Sequence, residues 1–361
     1  MPTLLDEQID RLAAFPATTF PVITLYLNTQ PDQHGRARYE SFVRKELRGR
    51  SRTFLARSPE RVSFDQDVDR IQTYLREELQ PSTHGLAVFA CSGENKFFEA
   101  LQLSAPIDHH EIHVGAQPHL YTLARINDQY PRYAAVVADT NSARLFVFGL
   151  SNTLETNTVQ NIKVNRTQMG GWSQARYQRH VDNYHLHHAK EVLDMLARVV
   201  REERIEHIIF AGDEVVIPIL QQQLPPFLAE KVVDVLRLDI TTPEHQILTA
   251  TLEAMRRRDA ETDAAKVERM IGEYRAGGLA TVGARDVLAA LSIGQVDELF
   301  LAASPDLIRF EDAEAQAARP DDLVAQARKT GATVTFIEDP NLLAEVGGVG
   351  ATLRYRLEPT E

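Results

Sequence analysis

The sequence predicts an α/β protein built from three α/β domains. Three observations predict it. The chain has 361 residues, more than one hydrophobic core ordinarily serves. Stretches with the period-two alternation of strands take turns along it with stretches of 3.6-residue helical period. Turn signals near residue 128 and a proline-led charged helix at 243 divide that alternation into segments 1–128, 129–242 and 243–361. With 43% hydrophobic and 25% charged residues, the composition is that of an ordinary folded protein and excludes disordered and fibrous classes.

In the first segment VITLYL (22–27) alternates as a strand, and a polar, amphipathic stretch from about 37 to 56 reads as a helix. A second helix follows with Val68, Ile71, Leu75 and Leu79 on one face. GLAVFA (85–90) and FFEALQL (97–103) read as paired strands, and Pro118 with the turn INDQYP (126–131) closes the segment.

The second segment opens with YAAVVAD (133–139) and ARLFVFGL (143–150), strands joined by the short turn TNS, and TLETNTV (153–159) makes a third. After a polar loop, Asp182 is expected to cap a helix whose inner stripe is Tyr184, His188, Val192, Met195, Leu196 and Val199. HIIFAG (207–212), the helix EVVIPILQQQL and the strand KVVDVLRLD complete it.

A charged helix from Pro243 to about 276 leads into the third segment. There GARDVLAALSIG reads as helix, VDELFLA (296–302) as strand, LVAQARKTG as a helix with its terminal glycine, and ATVTFIED as strand. A glycine turn and a last strand, VGGVGATLRYRLE, end the chain.

One cysteine, Cys91, makes no intramolecular disulfide, and the first residues, MPTLLDEQIDRLAAF, lack the pattern of a signal peptide. A cytoplasmic protein is expected. No apolar run approaches the roughly 20 residues that span a bilayer, so no membrane partner is expected.

The formal net charge of −12 opposes indiscriminate binding of nucleic acid, DNA included, yet two windows run the other way. From Arg36 to Val62 there are nine Arg or Lys against three Glu, and from Lys163 to Lys190 five against one Asp. An acidic body with two basic patches suits contact with RNA at defined points. A solvated helix face is the plainer reading of either window taken alone.

The second window holds NRTQMGGWSQARYQRH (165–180), with two adjacent glycines, the single tryptophan and a glutamine beside arginines. Glycines let a backbone approach RNA without side-chain clash. Glutamine is no general base but can orient water and stabilise developing charge with its amide. Trp172 can stack on an exposed base or pack back onto its own domain.

Other groups invite readings that their surroundings weaken. His180, His185, His187 and His188 suggest a metal, but no carboxylate or cysteine pattern completes a ligand set, so no metal or other cofactor is expected there. Asp139 and Asp213 suggest a nuclease, yet such enzymes need several convergent carboxylates, and turn roles are expected for both. Gly347-Gly348-Val349-Gly350 precedes a strand and lacks the Lys-Ser/Thr of a phosphate loop, so it reads as a turn.

Four stretches together resemble the middle and C-terminal domains of the archaeal and eukaryotic class-1 translation release factors and of Pelota, their ribosome-rescue relative. They are YAAVVADTNSARLFVFG with the glycine loop and basic helix behind it, HIIFAGDEVVIPIL, MIGEYRAGGLATVGARDVLAALSIGQVDELFLA, and GATVTFIED followed by GGVGATLRYRLE. VITLYLNTQ and THGLAVFACSGENKFFEALQL resemble a divergent N-terminal domain of the same family. The chain therefore resembles a bacterial member of that group.

The resemblance implies a ribonuclease H-like middle domain and a C-terminal α-β-α sandwich like the kink-turn-binding ribosomal proteins. It implies codon-independent peptidyl-tRNA ester hydrolysis in ribosome rescue or termination, with the 170–174 loop entering the peptidyl-transferase centre. The family's Gly-Gly-Gln reads here Gly170-Gly171-Trp172-Ser173-Gln174, with two residues interposed. By this likeness Gln174, Gly170 and Gly171 are the catalytic candidates. Trp172, Arg176, Arg179, Lys163 and Arg166 would meet RNA beside them, and Arg44, Lys45, Arg48 and Arg50 would do so from the first basic window. The family's Asn-Ile-Lys-Ser and Tyr-x-Cys motifs for stop codons do not occur, so stop-codon reading is not expected. The partners implied are the ribosome through its rRNA, peptidyl-tRNA, and a translational GTPase docked on the C-terminal domain. The alternative is a hibernation or stress factor that occupies the A site without hydrolysis.

Overall fold

The computed structural model describes residues 4–30, 39–150, 154–160, 174–310 and 319–355, and the backbone alone for residues 4, 154–160 and 174–183. The molecule is mixed α/β, with three sheets among the described residues. It divides into two compact units: Pro131–Asp259, and Pro2–Tyr130 together with Ala260–Glu361.

The first part of the discontinuous unit runs α1 (Leu4–Ala13), β1 (Val22–Asn28), α2 (Tyr39–Ser51), α3 (Pro59–Glu77), β2 (Gly85–Cys91), β3 (Phe97–Leu103), β4 (Glu111–Gly115) and α4 (Tyr121–Gln129). Its four strands form an antiparallel sheet in the order β3-β2-β1-β4. Alternation along β1 explains why the strand is buried on both faces. Ile23, Leu25 and Leu27 pack with Val43 and Leu47 of α2 and Phe64 and Ile71 of α3. On the opposite face, Thr24 Oγ1 accepts from the backbone N–H of His119, and Tyr26 donates through its hydroxyl to the carbonyl of His119 at 2.6 Å. The residues leading into α4 are thereby tied to the centre of the sheet.

One buried carboxylate locks α3 to the sheet. Asp67 is fully buried and accepts the backbone N–H of Ser92 at 3.0 Å and its hydroxyl at 2.6 Å, while Ser63 Oγ accepts the N–H of Gly93. Burial pushes the Asp67 carboxyl above its ordinary value, and the Ser92 bonds only partly offset it. Asp67→Ala leaves the Ser92 donors unpaired beside α3 and is expected to cost about 2–3 kcal/mol, read from the midpoint of urea unfolding.

Where the sequence suggested a turn at 126–131, α4 occupies Tyr121–Gln129. Tyr121, Leu123, Ala124 and Ile126 are buried on it, so packing overrides the turn-forming Asn127 and Asp128, and the helix stops only ahead of Pro131.

The second part of this unit begins within α8 (Glu244–Arg275) and continues through β10 (Ala280–Val282), α9 (Ala284–Ser292), β11 (Val296–Ala302), α10 (Pro320–Lys329), β12 (Thr333–Ile337) and β13 (Val349–Leu353). Its sheet has the order β10-β13-β11-β12, with β11 and β12 parallel and the other pairs antiparallel. Both parts share an interior. The Tyr121 hydroxyl donates to the carbonyl of Ala302, and its ring meets Phe336 edge-on at 5.1 Å. Asp128 accepts the N–H of Phe336 at 2.7 Å, and Arg328 of α10 bonds Asp6 of α1 at 3.2 Å. Burial pushes the Tyr121 phenol beyond the usual tyrosine range, as befits a hydroxyl committed to donating inside the interface.

The contiguous unit contains β5 (Tyr133–Ala138), β6 (Ser142–Phe148), β7 (Leu154–Gln160), α5 (Gln174–Glu202), β8 (His207–Gly212), α6 (Val216–Gln223), α7 (Pro226–Ala229), β9 (Val232–Leu236) and the first half of α8. Its sheet has the order β7-β6-β5-β8-β9, antiparallel from β7 to β5 and parallel from β5 to β9. The hairpin TNS allows the antiparallel step, whereas the parallel step from β5 to β8 needs a crossover, which α5 supplies. Alternate residues again face two layers. Ala134, Val136, Ile208 and Phe210 pack with Val192, Leu196 and Val199 of α5, and Tyr133, Ala135, Ile209 and Ala211 pack with Ile247, Ala254 and Met255 of α8.

The helix after the polar loop starts eight residues before the expected cap. Gln174 opens α5, so Asp182 lies within the helix and not at its start. Three turn readings hold. Asp139 Oδ1 accepts from the N–H groups of Asn141 and Ser142 in the β5–β6 turn. Asp213 Oδ1 accepts from Val215 and Val216 at the start of α6. Gly347 and Gly348 have φ of 75° and 80° and turn the chain into β13.

Candidate functional site

The loop singled out by its chemistry lies between β7, which ends at Gln160, and α5, which begins at Gln174. Of its candidate residues, Gly170, Gly171, Trp172, Lys163 and Arg166 fall outside the described residues. Gln174, Arg176 and Arg179 belong to α5, where their backbone alone is described. What the structure adds is the setting. Gln174 is the first residue of a 29-residue helix, so the backbone N–H groups from Gln174 to Tyr177 have no acceptor within that helix. Such a helix end carries a partial positive charge that favours phosphate or developing negative charge.

Farther along α5, the inner stripe read from the sequence is in place. Val192, Leu196 and Val199 are buried, and His188 is almost fully buried among them at 1% exposure. His187 is exposed and pairs with Glu191 one turn on, at 3.2 Å. These histidines therefore divide between core and surface.

The first basic window forms α2 and its exit. Tyr39, Val43, Leu47 and Ser51 turn inward at four-residue spacing, which leaves Arg44, Lys45 and Arg48 exposed within an arc of about 100° on the other side. The sequence groups Arg50 with them, but the structure separates it. Arg50 lies near the helix end and lines a cleft of about 540 Å³ together with His113, His119 and Asp321. The Arg44-Lys45-Arg48 triplet can meet a phosphate backbone as three cations on a rigid helix.

Among the described residues, the group with metal-ligand spacing is Glu111, His113 and His119, away from the α5 histidines. The sequence reading missed it because β4 was not recognised as a strand. Glu and His interrupt the apolar alternation there, and their own two-residue spacing in EIH was the signal that could have revealed it.

Comparison with known proteins bears on the middle of the chain. Residues 118–256 match the model of bacterial archaeo-eukaryotic release factor family 10. Among curated proteins none matches. Among solved structures, the archaeal translation termination factor aRF1 is 17% identical over 97% of both chains, with a TM-score of 0.28. The Saccharomyces cerevisiae termination-like factor Dom34 is 9% identical, covering 80% of this chain and 93% of that one, with a TM-score of 0.44. Ribosome-bound archaeal Pelota is 15% identical over 98% and 95%, with a TM-score of 0.42. Likenesses at this level say nothing of individual residues. The family match includes β7 before the polar loop and all of α5 after it, and it agrees with the resemblance read from the motifs: the middle of this chain is similar to the bacterial archaeo-eukaryotic release factors of family 10.

Proposed function

We propose that the protein acts in the cytoplasm on ribosomes that hold peptidyl-tRNA, as a codon-independent hydrolase of the peptidyl-tRNA ester in rescue or termination. The observation that carries this reading is the position of Gly170-Gly171-Trp172-Ser173-Gln174, which precedes and opens α5 inside the segment matched by the release-factor family. In this reading the loop enters the peptidyl-transferase centre. Water attacks the ester carbonyl, the acyl–oxygen bond breaks, and the tRNA leaves with its ribose hydroxyl restored. Gln174 orients the water and stabilises the developing oxyanion, and Gly170 and Gly171 allow close approach to RNA. Trp172 stacks on a base, and Lys163, Arg166, Arg176 and Arg179 hold phosphates.

The architecture proposed with it has three domains, 1–128, 129–242 and 243–361, the second ribonuclease H-like and the third an α-β-α sandwich of the kink-turn-binding kind. Dom34 interacts with Hbs1, and by analogy a translational GTPase docks on the C-terminal domain here.

A second reading follows from the two residues between Gly171 and Gln174. They lengthen the Gly-Gly-Gln spacing, which favours a non-hydrolytic hibernation or stress factor that occupies the A site. Release of labelled peptide from ribosome-bound peptidyl-tRNA separates the two. Release above buffer supports hydrolysis, and ribosome binding without release supports the second reading.

Both readings require salt-sensitive binding through the exposed α2 cations. Reversing Arg44 and Arg48 to glutamate is expected to lower ribosome co-sedimentation about tenfold or more at physiological salt. Undiminished binding would remove α2 from the interface.

A further inference from the structure

We propose that Glu111, His113 and His119 form a binding site for one divalent transition-metal ion of the zinc class, open to the cleft that Arg50 and Arg319 line. The site is independent of the polar loop and of the proposed hydrolysis.

The fold presents the three residues together for simple reasons. Glu111 and His113 are two apart on β4, and so share a face of the strand. They lie opposite Tyr26 and Thr24 of β1. The backbone of His119 is pinned to those same two residues, its N–H donating to Thr24 and its carbonyl accepting from Tyr26. The sheet and the lead into α4 thus hold the donors on a rigid support.

One ligand atom from each residue lies within 4.8 Å of the others. His113 Nε2 is already 3.2 Å from Glu111 Oε2, close to the roughly 3–3.5 Å between neighbouring donors of an ion bound at about 2.0–2.2 Å. The imidazoles of His113 and His119 are stacked with centroids 3.5 Å apart and planes inclined by 11°. Because an imidazole binds an ion in the plane of its ring, the two rings open out of this stack to meet at one centre.

Surrounding contacts select the donor atoms. Asp321 takes the Nδ1 side of His119 while its other oxygen accepts the N–H groups of Leu120 and Tyr121 at 3.0 Å each. That leaves Nε2 of His119 as the atom for an ion, the arrangement in which a carboxylate commonly backs a metal-bound histidine. Thr122 donates to Glu111 Oε2 at 2.8 Å and orients its carboxylate.

The chemistry of the set indicates the class of ion. Two imidazoles and one carboxylate suit zinc and its first-row neighbours, whereas magnesium and calcium favour oxygen ligands. Three protein ligands leave a coordination position open. His113 and His119 line the 540 Å³ cleft, and Arg50 and Arg319 on its wall favour an anionic co-ligand there.

The test uses the full-length chain, freed of metal with a chelator and titrated with Zn²⁺ by calorimetry and with Co²⁺ by visible absorption. One equivalent is expected to bind with micromolar or tighter affinity, with no comparable binding of Mg²⁺. His113→Ala is expected to weaken binding at least 100-fold. Its side chain is 39% exposed, so the melting temperature without metal serves as the check that the fold is kept. Glu111→Gln should weaken binding in the same direction, and His185→Ala with His187→Ala should leave it unchanged. The proposal is overturned if the wild-type chain takes up no Zn²⁺ at millimolar concentration. It is equally overturned if His113→Ala and Glu111→Gln bind like wild type, or if the α5 pair abolishes binding. Ribosome binding and peptide release report separately on the proposed function.

Discussion

Gln174→Ala is expected to lower the rate of peptide release about 10²–10³-fold, the effect of removing one preorganised donor to a developing oxyanion. Expressed as transition-state stabilisation, that is roughly 3–4 kcal/mol. Ribosome co-sedimentation should remain, because the cations of α2 and of the loop are untouched. The position of Gln174 at the head of α5 sharpens the expectation. The first residues of a helix tolerate alanine without loss of an intrahelical hydrogen bond, so a fall in rate would report on the side-chain amide and not on unfolding. Single-turnover release with saturating protein is the measurement. A wild-type rate for the variant would take hydrolysis away from Gln174 and leave the loop as a contact surface.

Gly348→Ala is expected to destabilise the fold by about 3 kcal/mol or more, against about 1 kcal/mol for Gly347→Ala. Both glycines have positive φ, a conformation that costs any other residue. Their surroundings differ. A Cβ on Gly347 would find Arg309 Cβ at 3.8 Å, an ordinary contact, whereas a Cβ on Gly348 would lie 2.4 Å from the carbonyl oxygen of Leu307 and 2.8 Å from its carbon. Relief there requires moving backbone, and the backbone next to it hydrogen-bonds into the sheet, since the Gly348 carbonyl accepts the N–H of Ala302 at 2.9 Å. Chemical denaturation of the two variants gives the comparison. Equal losses would mean that the turn yields more easily than these distances allow.

The strands most plainly legible in the sequence are those buried on both faces: VITLYL, GLAVFA, YAAVVA and HIIFAG are β-branched or apolar at nearly every position, and each is a strand. The elements that escaped notice owe their structure to partners distant in sequence. In α4, Tyr121 is committed by Ala302 and Phe336, and Asp128, a turn former by itself, is committed by the N–H of Phe336. A local window contains none of those residues. β4 went unread because its outward residues are Glu111 and His113, polar groups whose partners Thr122 and His119 come from the next turn of chain. The start of α5 was misplaced because Asp182 is a good cap by type, while the chain before it, ARYQRHV, is helical without an apolar stripe strong enough to show it. Of the candidate residues, the α2 cations were correctly placed on an exposed helix, and Arg50 diverged from them because two further residues turn it by about 200° around the helix from Arg48.

The unit that joins the two ends of the chain also sets an order of events during synthesis. Its interior bonds connect residues separated by 181 positions at Tyr121 and Ala302, by 208 at Asp128 and Phe336, and by 322 at Asp6 and Arg328. Residues 131–259 form a contiguous unit and can complete their core as soon as they have left the exit tunnel. The antiparallel sheet of the first 130 residues leaves earlier, yet Tyr121 and the acidic side of α1 wait for α10 and β12, which are made near the end of the chain. Closure of such long loops is slow, and until it occurs the buried face of α4 stays exposed to solvent. The newly made chain therefore passes through a stage in which its middle is folded and its two ends have yet to find each other.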